Sequence, residues 1–360
     1  MKQPWIHSAR LDLTFILAPA FAVTALVWLL QDRIAQIREL PPGLWLLLIV
    51  GVDVAHVWST LFRTYLDRAE LRARQALYTL VPLASFIAGV LLYRIDSLLF
   101  WRVLAYLAVF HFVRQQYGFF MLYRRAEAAD PQWAKRLDQT LIYASTLVPL
   151  LVWHCQPRQF NWFVEGDFFS FDAPAIAAAA EWTYLLLIAL YLAKEAAASA
   201  RRGSFNWPKN LLLLGTALSW QIGIVVFDND LAFTATNVIA HGIPYLALIW
   251  VYGRNQQRSP YRLPVGWLFR IRFLPLFLGV LFIVAYLEEW LWDSLIWHDH
   301  ATLFVLGATP LAENHALLSW LVPLLALPQI THYLLDAYIW RMNVANTPWK
   351  SILFLHAAKP

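Results

Sequence analysis

Four histidines of this 360-residue chain lie within long apolar runs, each one helical turn from a polar partner. Asp53 and His56 are three positions apart; His111 and Gln115, Asn237 and His241, and His332 and Asp336 are four apart. Such spacings put both members on one face of a helix, so each run offers a short polar stripe to its neighbours. Hydrocarbon does not tolerate imidazoles and carboxylates. At membrane depth they must face a protein interior and meet a proton, a metal or another cation there. His56, His111, His241 and His332 with Asp53 and Asp336 form a donor set suited to iron, manganese or zinc rather than magnesium or calcium. Gln115, Asn237 and Thr331 are placed to orient the imidazoles, and Tyr117, Tyr245 and Tyr333 to line the space around them. Arg114, in the same run as His111, is expected to balance the charge of Asp53 or Asp336, or to anchor a substrate carboxylate or phosphate.

The elements that must hold these groups are membrane helices. Apolar side chains make up 60% of the chain and charged ones 14%, too little polar surface for a water-soluble protein of this length. Ten apolar runs of roughly bilayer-spanning length can be marked, at about 13–31, 43–66, 76–94, 98–123, 138–154, 175–198, 209–227, 231–253, 272–297 and 316–340. With this layout, 22 of the 28 Lys and Arg residues fall on one side and only Arg33, Arg38, Arg94 and Arg158 on the other. Positive charge in short loops marks the cytosol, so an all-α, polytopic bundle of about ten transmembrane helices with both termini cytosolic is expected. Several of the nineteen tryptophans, among them Trp5, Trp45, Trp207, Trp267, Trp297 and Trp340, fall near expected helix ends, where indole favours the headgroup boundary. The four histidines occupy even-numbered spans. They lie within roughly 5 Å of one depth at about 1.5 Å rise per residue.

The run from Leu13 to Leu30 exceeds a secretion-signal core and reads as a retained first helix. The chain is expected to form one transmembrane domain, 1–360, with minor outer-face loops at about 155–174 and 298–315. Pro244 and Pro328 should kink their spans. Glu288 and Glu289 read as interfacial acids, and Asp228, Asn229 and Asp230 as a tight turn. His7, His154, His298, His300, His315 and His356 sit in loops or at span ends. With Cys155 alone, the chain cannot build a multi-cysteine zinc or iron–sulfur site. The formal charge of +5 is spread over loops, with no basic domain for nucleic acid.

The order of these motifs is similar to that of the Brp/Blh family of membrane β-carotene 15,15'-dioxygenases. Leu327-Pro328-Gln329-Ile330-Thr331-His332-Tyr333-Leu334-Leu335-Asp336 resembles the family's late proline–histidine–aspartate helix. Phe110-His111-Phe112 resembles its histidine–phenylalanine motif, and Asp53-Val54-Ala55-His56 stands where an early histidine–aspartate motif would lie, in reversed order. Ile239-Ala240-His241-Gly242-Ile243-Pro244-Tyr245 carries one histidine where the family's third motif carries two. The resemblance implies iron held by histidines from several helices. Together these readings favour a membrane oxidoreductase, an oxygenase with one or two non-haem iron ions, acting on a hydrophobic small molecule or lipid with an external electron donor. Zinc or manganese remain alternatives for the metal. The rival classes are a proton-coupled transporter using the same His and Asp residues as a relay, and a b-type haem protein. A bacterial cytoplasmic (inner) membrane is the simplest setting.

Overall fold

In a computed structural model, which describes residues 3–37, 40–256, 265–304 and 314–341, the chain is helical throughout, with no strand among the described residues. Lys2, Arg38, Arg258, Arg262, Glu313, Lys350, Lys359 and His356 lie outside them, as do parts of the expected 298–315 loop and 316–340 flank. Backbone polar groups have no water to bond in a bilayer core, so a run that crosses it must satisfy them internally, as a helix does. Among the described residues eight helices are long and apolar enough to cross a membrane: α1 (Ala9–Leu29), α2 (Pro42–Phe62), α3 (Gln75–Ile95), α4 (Ser97–Glu127), then, after α5 (Gln132–Cys155), α6 (Pro174–Arg202), α7 (Trp207–Val226), α8 (Asp230–Gln256) and α9 (Ile271–Trp297). A ninth is counted if α10 (His315–Leu325) and α11 (Leu327–Ile339), which meet at a 43° bend, form one span.

The outward faces are apolar. On α3 the exposed residues Leu80, Leu83, Ile87, Leu91 and Ile95 recur at steps of three and four, the reverse of a water-facing helix. On α6, Trp182, Leu185, Leu186 and Leu190 do the same. The expected fifth span, 138–154, is a helix, α5, but it falls short of the apolarity of the other eight. Asp138, Ser145 and Thr146 are buried in it: Asp138 accepts from Arg124 and Ser145 from Tyr184 of neighbouring helices, while Thr146 bonds the carbonyl of Tyr143 within α5. The expected bend near Pro328 falls at Ala326, just before it, whereas Pro244 sits within the unbroken α8.

The chain divides into two compact units, each built from two separated stretches. Unit 1 comprises Met1–Glu39 and Phe112–Pro244; unit 2 comprises Leu40–His111 and Tyr245–Pro360. In unit 1, α5 packs on α6 and α7, and α7 on α1. Asn229 lies in the short connection before α8: its amide donates to the carbonyls of Ile34 and Ile37, and its oxygen caps Ala232. Residues 227–229 form no turn and Asp230 already belongs to α8, so the tight turn expected at Asp228-Asn229-Asp230 is a direct entry into the helix. In unit 2, α9 packs on α2, and α3 on α10 and α11. Val50, Val54, Phe62, Tyr245, Ile249, Phe269 and Phe277 form its core. Two glycines allow the close approaches. A Cβ on Gly253 would stand 2.4 Å from the Phe269 ring, and one on Gly89 would stand 2.9 Å from Pro323 of α10.

Candidate metal centre

In α2 the backbone runs through π-helical turns from Leu46 to Val54 before resuming α geometry at Ala55. This irregular segment carries Asp53 and delivers His56 into the interior, a frequent association of such turns with functional positions. His56, His111 and His332 are buried in unit 2, where one nitrogen from each lies within 4.8 Å of the others; His241, also buried, belongs to unit 1.

His111 Nε2 and His332 Nε2 are 3.1 Å apart. The His56 ring lies edge-on to His332, with centroids 4.9 Å apart, and parallel to His111 at 6.3 Å. Outer partners hold the other nitrogens. His332 Nδ1 lies 2.6 Å from Thr60 Oγ1, which lies 2.9 Å from the Tyr245 hydroxyl. That hydroxyl donates to Asp336 Oδ1 at 2.8 Å, and Trp340 Nε1 donates to the same oxygen at 2.9 Å. Asp336 Oδ2 lies 3.5 Å from His111 Nδ1, closing a ring of five side chains. Asp53 Oδ1 lies 3.6 Å from His56 Nδ1.

One assignment of protons, with Asp336 ionised, satisfies every member of this ring. A carboxylate only accepts, so Tyr245 donates to Asp336, and the Tyr245 oxygen in turn accepts from Thr60. Thr60, its proton committed, accepts from His332 Nδ1–H, while Asp336 Oδ2 draws the proton of His111 to Nδ1. Both imidazoles then present a lone pair at Nε2, and the two lone pairs face one another. Two such acceptors repel, and a cation between them reverses the sign. The spacing suits one ion: two nitrogens bound at about 2.1 Å and ~90–110° apart stand about 3.0–3.4 Å from each other, which brackets the 3.1 Å observed.

The remaining expected site residues sort differently. Asp336 orients His111 through an outer contact, and Tyr333 stacks on the His111 ring with centroids 5.1 Å apart. Arg114 meets phenols rather than a carboxylate among the described residues: its Nη1 donates to the Tyr143 hydroxyl at 2.5 Å, and its guanidinium lies over Tyr117 at 4.8 Å. Tyr117 in turn accepts from Gln139 and stacks on Tyr143, all within unit 1. Gln115 bonds the backbone carbonyl of His241 and Asn237 that of Phe233, so neither amide orients an imidazole. The His241 ring lies face to face with Phe112 at 3.8 Å. Thr331 is buried and its hydroxyl has no hydrogen-bond partner among the described residues. Glu288, read as an interfacial acid, is buried and accepts from Trp58 Nε1 at 2.5 Å and from Gln329.

Thr60 and Tyr245 complete the ring and Trp340 bonds to Asp336 from outside it, and the polar spacing alone singles out neither Thr60 nor Trp340. A signal existed: Thr60, Tyr245 and Trp340 stand four residues after His56, His241 and Asp336, on the same helical faces. No protein-family model matches the chain, and neither a curated protein nor a solved structure does.

Proposed function

We propose that the chain is a metal-dependent oxidoreductase of a membrane, with non-haem iron held by His56, His111, His332 and His241 and a lipidic or isoprenoid substrate. The observation that carries this reading is the pair of buried Nε2 atoms 3.1 Å apart, with His332 Nδ1 beside Thr60 and His111 Nδ1 beside Asp336. Metal-ligating histidines are held in this way, the second nitrogen bonded to a carboxylate or hydroxyl that fixes tautomer and ring angle. Imidazole donors suit iron, zinc and copper. Iron, when bound, would supply the oxygen chemistry. The chain's own residues hold the imidazoles, keep the centre dry and keep Asp336 and Asp53 available as counter-charges. The motif resemblance supports iron over zinc and oxidation over hydrolysis, since a hydrocarbon substrate offers C–H and C=C bonds and nothing to hydrolyse. The distribution of basic residues supports cytosolic termini, and a bacterial inner membrane is the simplest host.

The hydrogen-bonded ring weighs against a proton relay. It starts and ends on the same two imidazoles, which suits holding a site and gives a transported proton no exit. The 3.1 Å separation weighs against these two as the axial pair of one haem, whose iron would need its two nitrogens on opposite sides, about 4 Å apart for bonds of about 2 Å.

Metal content by mass spectrometry, with an absorption spectrum of the same detergent-purified sample, tests the reading. One or two irons per chain without a Soret band is the expected result. A Soret band would move the protein to the haem class, and protein free of metal without exposure to chelator would sink the proposal. Asp336→Asn, which replaces the carboxylate facing His111 Nδ1, should weaken metal retention about 10–100-fold against a competing chelator. Unchanged retention would remove Asp336 from the centre.

A further inference from the structure

Unit 2 contains a cavity of about 280 Å3 whose walls come from α2, α3, α10 and α11. It exists because the chain breaks there. α10 and α11 part at their 43° bend, with Pro323 and Pro328 on either side, opposite Pro82 of α3. Its lining includes Leu324, about half exposed on the apolar outer surface, and the buried His332, Thr60 and Thr331. No charged side chain lines it. The cavity thus connects the lipid-facing surface of unit 2 to the ring of side chains around His332.

Two features narrow what fits. The volume is just under the roughly 300–1,000 Å3 of pockets that enclose a whole drug-sized ligand, so only one end of a long molecule is enclosed and the rest stays in the bilayer. Thr331 supplies the second feature. A helical threonine commonly bonds the carbonyl four residues back, here that of Leu327, but the Thr331 hydroxyl has no partner among the described residues although it is more than nine-tenths buried. A buried hydroxyl left unbonded is costly, and this one lines the cavity beside His332.

We propose that this cavity is the lateral access site for a neutral long-chain alcohol, its hydroxyl bonded to Thr331, the carbons next to it against His332, and its tail in the bilayer. The uncharged lining disfavours a phosphate or carboxylate headgroup, and a bare hydrocarbon would leave Thr331 unbonded. The inference deepens the metal reading above and rests on it for the role of His332, but binding can be measured without turnover.

The test uses the full chain in lipid nanodiscs with a long-chain alcohol bearing a diazirine near its hydroxyl, and peptide mapping after irradiation. Labels should concentrate within 57–65 and 324–335. Thr331→Val should weaken labelling about five- to tenfold, as should replacing the probe by the matching diazirine alkane on the unaltered protein. Leu327→Trp, which fills the cavity, should abolish these labels while metal content stays unchanged. Labels spread evenly over the outward leucines, or labelling indifferent to both substitutions and to loss of the probe hydroxyl, would overturn the proposal. Metal-free protein that still labels these segments in the expected pattern would sink the iron reading and leave the access site standing; metal-loaded protein that does not label there would do the reverse.

Discussion

His332→Ala protein should purify without bound metal and with its helical content intact. The substitution removes one of the two nitrogens that face each other at 3.1 Å, and with it the group that ties Thr60 into the ring. What remains in unit 2 are His111, oriented by Asp336, and His56, whose Nδ1 faces Asp53. Their ring centroids are 6.3 Å apart, a wider and looser pair than either makes with His332. The loss should therefore exceed the about 10–100-fold expected when only an outer partner is removed. Thr60→Val supplies that comparison. It keeps the volume at position 60 and the imidazole of His332 but deletes the oxygen at Nδ1, so it should lower metal retention within the 10–100-fold range. Metal analysis of both variants beside unaltered protein is decisive. Full occupancy in His332→Ala would place any metal elsewhere, and equal losses in the two variants would mean that the ring, not the imidazole, holds it.

How far this centre could be read from the sequence depends on which residue types are conspicuous in an apolar run. Histidine and aspartate are costly in lipid, so His56, His111, His241, His332 and Asp336 stand out, and spacings of three and four give their faces. Thr60 and Trp340 are ordinary in membrane helices, and only the fold reveals that they sit one turn beyond conspicuous residues and bond to the ring. Arg114 misleads for the opposite reason. A guanidinium in an apolar run suggests a carboxylate partner, but the phenol of Tyr143, 29 residues away, and the face of Tyr117, one turn along the same helix, receive it. Most spans are legible as apolar runs. The exception, α5, is polar because its partners are protein, and Asp138 is explained only by Arg124 and by Lys194, which is 56 residues away. Counting basic residues as loop charges likewise hides pairs that the fold buries, Arg63 with Glu70 among them.

The largest stability effect should come from such a buried set. In unit 1, Lys209 is fully buried and donates to Glu127 at 2.7 Å and to Glu195 at 2.5 Å. Lys194 donates to the same Glu195 oxygen and to Asp138, which also accepts from Arg124 at 2.6 Å. Asn206 and Asn210 donate to the remaining oxygens of Glu127 and Glu195, and the Tyr191 ring lies beneath both lysines. Three buried cations thus meet three buried carboxylates from α4, α5, α6 and α7, with Arg202 and Asp130 at the margin. Such a network has already lost hydration on both sides, so its cost is offset only while every charge keeps its partner. Lys209→Met keeps the length of the side chain and leaves Glu127 and Glu195 one cation short. It should destabilise the protein by about 3–5 kcal/mol. Adding Glu195→Gln removes one of the two stranded charges and should recover part of the loss, because the cost lies in the uncompensated carboxylate and not in the missing methylenes or amine. Thermal unfolding of the two variants in one detergent reads the difference. A single variant as stable as unaltered protein, or a double variant less stable than the single, would show that this network does not hold the ends of these four helices together. The same comparison bears on the metal centre, because α4, anchored here through Arg124 and Glu127, is the helix that carries His111.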